Sequence, residues 1–154
     1  MGDTLYADAY RNYDFRKHPE KYVIGKGEQG VLMAEPYKSE ILPYWRFATP
    51  EKATESAEKI YDMFLEYGRQ DDFVGMDMAR KFLQMGFTRS RRYANHSSGK
   101  KYDNEGRVMP QDIHSEQSPK AKSARIFYKY YKQAKVNKHY QKLKEGHQGR
   151  QAKT

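Results

Sequence analysis

Residues 50–96, "PEKATESAEKIYDMFLEYGRQDDFVGMDMARKFLQMGFTRSRRYANH", carry the apolar spacing that sets the fold. Thr49 suits an N-cap, and Pro50 suits the first helical position, where its missing N–H is not needed. Ala53, Ala57, Ile60, Tyr61, Phe64 and Tyr67 recur at helical spacing and predict one buried stripe on a helix over 50–68. The opposite face is an acidic row of Glu51, Glu55, Glu58, Asp62 and Glu66, and Gly68 is a natural stop. A second helix is expected from Asp71–Asp72 to about Met85, burying Phe73, Met76, Ala79, Phe82 and Leu83, with Gly86 ending it. Within it Asp77 is spaced to pair with Arg80 or Lys81. Thr88 can then cap a short basic helix from Arg89 to about His96, on which Arg89, Arg92 and His96 share a face.

Downstream, residues 97–118 show no sustained periodicity and read as a long polar loop. Ser118-Pro119 opens a last helix reaching toward Glu145 with an interruption near Asn137. Its apolar face is Ala124, Phe127, Tyr131 and Ala134; Lys122, Arg125, Lys129 and Lys132 lie roughly opposite. Residues 146–154 read as a flexible basic tail. Upstream, residues 1–20 form an irregular arm pinned by Tyr6, Tyr10, Tyr13 and Phe15. Lys21–Ile24 and Val31–Ala34 read as two short strands around Gly25, Gly27 and Gly30. Pro36 and Pro43 forbid a long regular element between them, so Ile41, Leu42, Trp45 and Phe47 are expected to lie across the core. The expected fold is therefore α+β: one mainly helical domain over 21–145 with a small N-terminal β-hairpin.

A chain of 154 residues supports one core. Apolar content of 37% with 14 Tyr, 7 Phe and 1 Trp predicts a small aromatic core under a thick polar shell. The chain has no cysteine, which excludes disulfides, thiolate catalysis and Cys-ligated metal sites. It has no 18-residue apolar run and no apolar leader, so a cytoplasmic protein is expected, with no membrane partner. Charge is unevenly spread. Residues 1–72 hold 10 Lys/Arg against 14 Asp/Glu, a balance of −4; residues 73–154 hold 19 against 6, a balance of +13. Such polarity speaks of association with an anion.

Three motifs bear on chemistry. The pattern Gly25-x-Gly27-x-x-Gly30 resembles a phosphate-binding loop, but the residues after Gly30 read as a strand and then Pro36, where a dinucleotide fold needs a helix. A kinase glycine loop would need H-R-D and D-F-G motifs, which are missing. The glycines fit a hairpin better. The segment 89–101 packs Arg89, Arg91, Arg92, Lys100 and Lys101 among Tyr93, Asn95 and His96, with Tyr102 just beyond. Guanidinium groups fork onto phosphate oxygens, and tyrosines beside them can stack on unpaired bases. A helix, a turn at Gly86 and an Arg-rich helix also suggest a helix-turn-helix, although Ala79 and Gly86 do not meet that motif's familiar alanine-to-glycine spacing. The same basic face could instead be solvated, or dock on the acidic row of a neighbouring copy. Finally, Arg91-x-x-x-x-His96 fits the short arginine–histidine pattern of HEPN-type ribonucleases. There Arg91 or Arg92 would stabilise a phosphorane-like charge while His96 moves the 2′-OH proton without a metal. His18, His96, His114, His139 and His147 show no ligand spacing, so neither metal nor cofactor is expected. A small-molecule pocket near Trp45 stays open.

"GKGEQGVLMAEPYKSEILPYWRF" (25–47), "DFVGMDMARKFLQMGFTRSRRYANHSSGKKYD" (72–103) and "ARIFYKYYKQAK" (124–135) resemble a family of small uncharacterised proteins from bacteria, fungi and tailed phages, catalogued as a domain of unknown function. The likeness covers about residues 20–145. Its most specific parts are Glu-Pro-Tyr-Lys-Ser (35–39) and Arg-Arg-Tyr-Ala-Asn-His (91–96). It implies a single domain of phage or bacterial origin and supplies no catalytic residues. From charge, the expected function is a non-enzymatic accessory protein that grips DNA or RNA phosphates. Arg89, Arg91, Arg92, Tyr93, Asn95, Lys100 and Lys101 would be at the centre, extended by Lys122, Arg125, Lys129 and Lys132.

Overall fold

A computed structural model describes residues 13–24, 34–95, 102, 104–107 and 118–152. These residues hold five helices in order: α1 (Tyr37–Ile41), α2 (Pro50–Arg69), α3 (Phe73–Asn95), α4 (Pro119–Lys135) and α5 (Lys138–Ala152). Single 3-10 turns at Pro19–Lys21 and Leu42–Tyr44 punctuate the N-terminal part.

The caps explain the boundaries. Thr49 Oγ1 accepts from the Lys52 amide at 3.1 Å, and Ser118 Oγ accepts from the Ala121 amide at 3.1 Å, so α2 and α4 begin alike on a hydroxyl followed by proline. Asp72 Oδ1 accepts from the Gly75 amide at 3.1 Å and opens α3. The chain passes from α2 to α3 through Asp71, whose φ of 53° reverses its direction. Between α4 and α5, Asn137 Oδ1 accepts from the Tyr140 amide at 2.9 Å and starts a new helix, which is the interruption expected there.

No β-strand or sheet occurs among the described residues, which corrects the α+β reading and its N-terminal hairpin to a helical fold. Lys21 belongs to a 3-10 turn, and Tyr22 is extended but spends its carbonyl on the side chains of His147 and Gln151. Ala34 gives its carbonyl to the Lys38 amide at the start of α1. Both ends of the expected hairpin are thus hydrogen-bonded elsewhere, and Gly25–Met33 lies outside the described residues.

A second correction concerns Gly86. Helix α3 runs unbroken through it to Asn95, and Thr88, expected to cap a new helix, instead donates to the Met85 carbonyl at 3.2 Å. A Cβ at Gly86 would run into the ring of Phe127 on α4. The glycine marks a close helix crossing. Gly75 does the same against Tyr67 of α2.

Helices α2, α3 and α4 form the main packing unit. Ile60 and Phe64 of α2, Met76, Ala79, Phe82 and Leu83 of α3, and Phe127 and Ala134 of α4 are buried together, each large apolar side chain contributing about 1.5–3 kcal/mol. Helix α4 runs antiparallel to α3: Phe127 sits at Gly86, and Lys120, two turns earlier, sits at Tyr93. The arm and α5 close over the other side of α3. Residues from Gly146, expected as a tail, remain helical to Ala152, with His147 buried.

Candidate functional site

The continuity of α3 divides the basic segment between two flanks. Arg89 and Tyr93, four residues apart, share one side and are exposed; Arg92 is also exposed. Arg91 points to another side, is half-buried and has partners of its own. Asn95 is half-buried, and its Oδ1 finds no hydrogen-bond partner. His96, Lys100 and Lys101 lie outside the described residues, so no Arg91–His96 pair is assembled within the described chain. Lys122, Arg125, Lys129 and Lys132 are exposed along the outer face of α4, as their spacing predicts. Tyrosines interleave them: the Lys132 ammonium lies 5.5 Å from the Tyr128 ring centroid and that of Lys129 5.6 Å from Tyr130.

Where α3 ends and α2 and α4 begin, the protein forms a cleft of about 450 Å³ lined by Arg46, Phe47, Ala48, Lys52, Tyr93 and Lys120. Three separate stretches build it. The Trp45 indole N–H donates to the Phe82 carbonyl at 3.0 Å, and the Arg46 amide donates to Ser56 Oγ at 2.9 Å, which fixes residues 45–48 against α3 and α2. The Lys120 ammonium donates to the carbonyls of Phe47 (3.2 Å) and Ala48 (3.1 Å) and ties in α4. It also lies 5.3 Å from the Phe47 ring centroid and 5.9 Å from that of Tyr93. Those two rings stack at 6.3 Å and 30°. Tyr93 remains 41% exposed.

The cleft is electropositive. Among the described residues it is lined by three cations and no carboxylate, and Arg46, Lys52 and Lys120 make no ion pair there. The N-termini of α2 and α4 border it and add their positive partial charges. Glu55 lines the next hollow, beside Arg46 and Lys52. A cleft does lie beside Trp45, whose indole supports it one residue away. Of its lining only Tyr93 was a predicted site residue. Arg46, Phe47, Lys52 and Lys120 were missed because they come from three stretches with no common period. The available signal was the repeated start, Thr49-Pro-x-Lys52 and Ser118-Pro-Lys120.

The most buried charges lie elsewhere and hold the fold. Asp77 and Lys81 are fully buried. Asp77 accepts from the hydroxyls of Tyr22 (2.5 Å) and Tyr140 (2.6 Å) and from Arg80 Nη2 (2.8 Å), with Lys81 Nζ at 3.8 Å. Burial alone would raise its pKa, but the Arg80 and Lys81 charges and the two phenols hold it below the ordinary carboxylate value. Burial lowers Lys81 to about 8, with Asp77 opposing the shift. A second cluster pins the arm: Arg16 makes two 2.7 Å hydrogen bonds to Glu40, which also accepts from the Tyr67 hydroxyl at 2.7 Å. Every carboxylate in these clusters is paired and hydrogen-bonded within the fold. Among the described residues no group of three or more His, Asp or Glu could hold a metal ion, and no helix is long and apolar enough to cross a membrane.

The family described as a domain of unknown function (DUF4385) matches residues 5–150, and the chain belongs to it. No curated protein and no solved structure matches the chain.

Proposed function

We propose that this member of the DUF4385 family is a non-enzymatic accessory protein that binds nucleic-acid phosphates without strong sequence preference. The observation that carries the reading is α4, which holds six Lys/Arg and no Asp/Glu over Pro119–Lys135, with Lys122, Arg125, Lys129 and Lys132 exposed along it. A charge-unbalanced helix of this kind repels itself and gains when a polyanion neutralises it. Arg89 and Arg92, exposed near the end of α3, extend the surface toward the cleft. The test is binding to labelled single-stranded DNA, duplex DNA and RNA between about 50 and 200 mM salt, the range over which phosphate contacts lose affinity steeply. Tight, salt-steep binding that falls when Lys122, Lys129 and Lys132 become Ala supports the reading. No binding at low salt overturns it.

A second reading has its own support: Glu51, Glu55, Glu58, Asp62 and Glu66 are all exposed on α2 and would suit docking of the basic α4 of another copy. Salt-sensitive oligomers in the absence of nucleic acid, seen by sedimentation, would favour it.

A further inference from the structure

We infer that the cleft between the start of α2, the end of α3 and the start of α4 is a nucleotide site. It takes an unpaired base on the exposed ring surface of Tyr93 and a phosphate among Arg46, Lys52 and Lys120. The assignment of the ligand's class rests on the phosphate-binding reading above; the geometry of the cleft does not.

The size fits a small ligand, since about 450 Å³ falls within the usual range of such sites. The charge fits an anion. Three cations share the hollow; among the described residues the carboxylate beside them, Glu55, lines the next hollow with Arg46 and Lys52 and leaves Lys120 apart. The rings fit a base. Tyr93 stacks on Phe47 and lies near the Lys120 ammonium, yet stays 41% exposed, which leaves ring surface for a second flat partner. Lys120 cannot swing away freely because it holds the Phe47 and Ala48 carbonyls, so its charge is positioned before any ligand arrives. A paired base keeps its faces within a helical stack and cannot lie on a ring set into a cleft. An unpaired one can. The strand would then leave the cleft past Arg89, one turn before Tyr93 on the same flank of α3.

The same chemistry, a base carrying a phosphate, could come from a free mononucleotide or from a single strand. The experiment compares the binding of an eight-residue thymidine oligonucleotide, a blunt DNA duplex and thymidine 5′-monophosphate to the full chain. The variants are Tyr93→Leu and Arg46→Ala/Lys52→Ala, with Lys122→Ala/Lys129→Ala/Lys132→Ala as the contrast; thermal melting confirms that each is folded. Tyr93 and Lys52 are exposed and, among the described residues, make no hydrogen bond through their side chains, so these changes leave the fold intact. The expected result is a loss of about tenfold or more in single-strand affinity for Tyr93→Leu, with duplex affinity unchanged. The α4 variant weakens both. Competition by the monophosphate at similar affinity, abolished by Arg46→Ala/Lys52→Ala, assigns the site to a free nucleotide and equally supports it. Single strand and duplex binding that Tyr93→Leu leaves untouched overturns the nucleotide site while the basic surface stands. Absence of all nucleic-acid and monophosphate binding overturns both.

Discussion

The ring of Phe127 lies in the space that any side chain at Gly86 would need. Helix α4 therefore approaches α3 as closely as a bare backbone allows. Gly86→Ala must push the two helices apart or force the Phe127 ring from its rotamer, and an overpacked core loses about 1–3 kcal/mol. Urea denaturation is expected to show that loss. An unchanged midpoint would mean the crossing is loose.

Asp77 accepts from two phenols and from Arg80, and its carboxylate lies 3.8 Å from the Lys81 ammonium. Asp77→Asn keeps its shape but removes the buried negative charge that faces Arg80 and Lys81. Removing one member of a buried pair costs about 3–5 kcal/mol, so this variant should be among the least stable point changes in the chain. A loss under 1 kcal/mol in chemical denaturation, well short of that about 3–5 kcal/mol, would show that water reaches the cluster.

The pH dependence follows from Glu40. Arg16, through its paired hydrogen bonds, holds the Glu40 carboxyl below its ordinary 4.5 despite partial burial. Its folded pKa is depressed, so the unfolded chain takes up a proton first as acid is added. The stability it contributes is present above pH 4.5 and drains away as pH falls through the folded value. Denaturation midpoints recorded on acidification should fall in wild type and fall less steeply in Glu40→Gln. Parallel slopes would remove Glu40 from the account.

His147 Nε2 stands 2.6 Å from the Tyr22 carbonyl and donates to it, which fixes α5 on the arm. In His147→Ala the buried carbonyl keeps Gln151 alone, a weakening of about 1–3 kcal/mol. Local opening of the arm should then be more frequent, and trypsin should cut after Lys21 at least about fivefold faster. Cleavage at the wild-type rate would show that the arm is held by its aromatic packing.

What was legible in the sequence was local. Thr49-Pro50, Ser118-Pro119 and Asn137 announced helix boundaries because each acts within four residues of itself. Asp77 announced its pairing for the same reason. Gly86 misled because its partner, Phe127, lies on another helix, and a glycine that permits contact looks the same as one that stops a helix. The hairpin misled because the carbonyls of Tyr22 and Ala34 are used by side chains and amides that no strand pattern reveals. The full burial of Lys81 has no such local sign, since it is covered through contacts such as the Tyr22 ring of the arm. The cleft was half visible: Tyr93 belonged to the basic segment, but its company comes from residues 46–52 and 120, gathered only when three helix ends meet.

The clasp between Tyr22 and His147 also sets an order of events. The residue made early must wait for one made 125 positions later before its carbonyl and the ring beside it are covered. During synthesis α2 and α3 can pair as soon as both have emerged, whereas the arm stays unsealed until α5 leaves the ribosome. A chain cut off at Asn137 would hold the pairing of α2, α3 and α4 and lack the latch. The contact between the arm and α5 is the last to close.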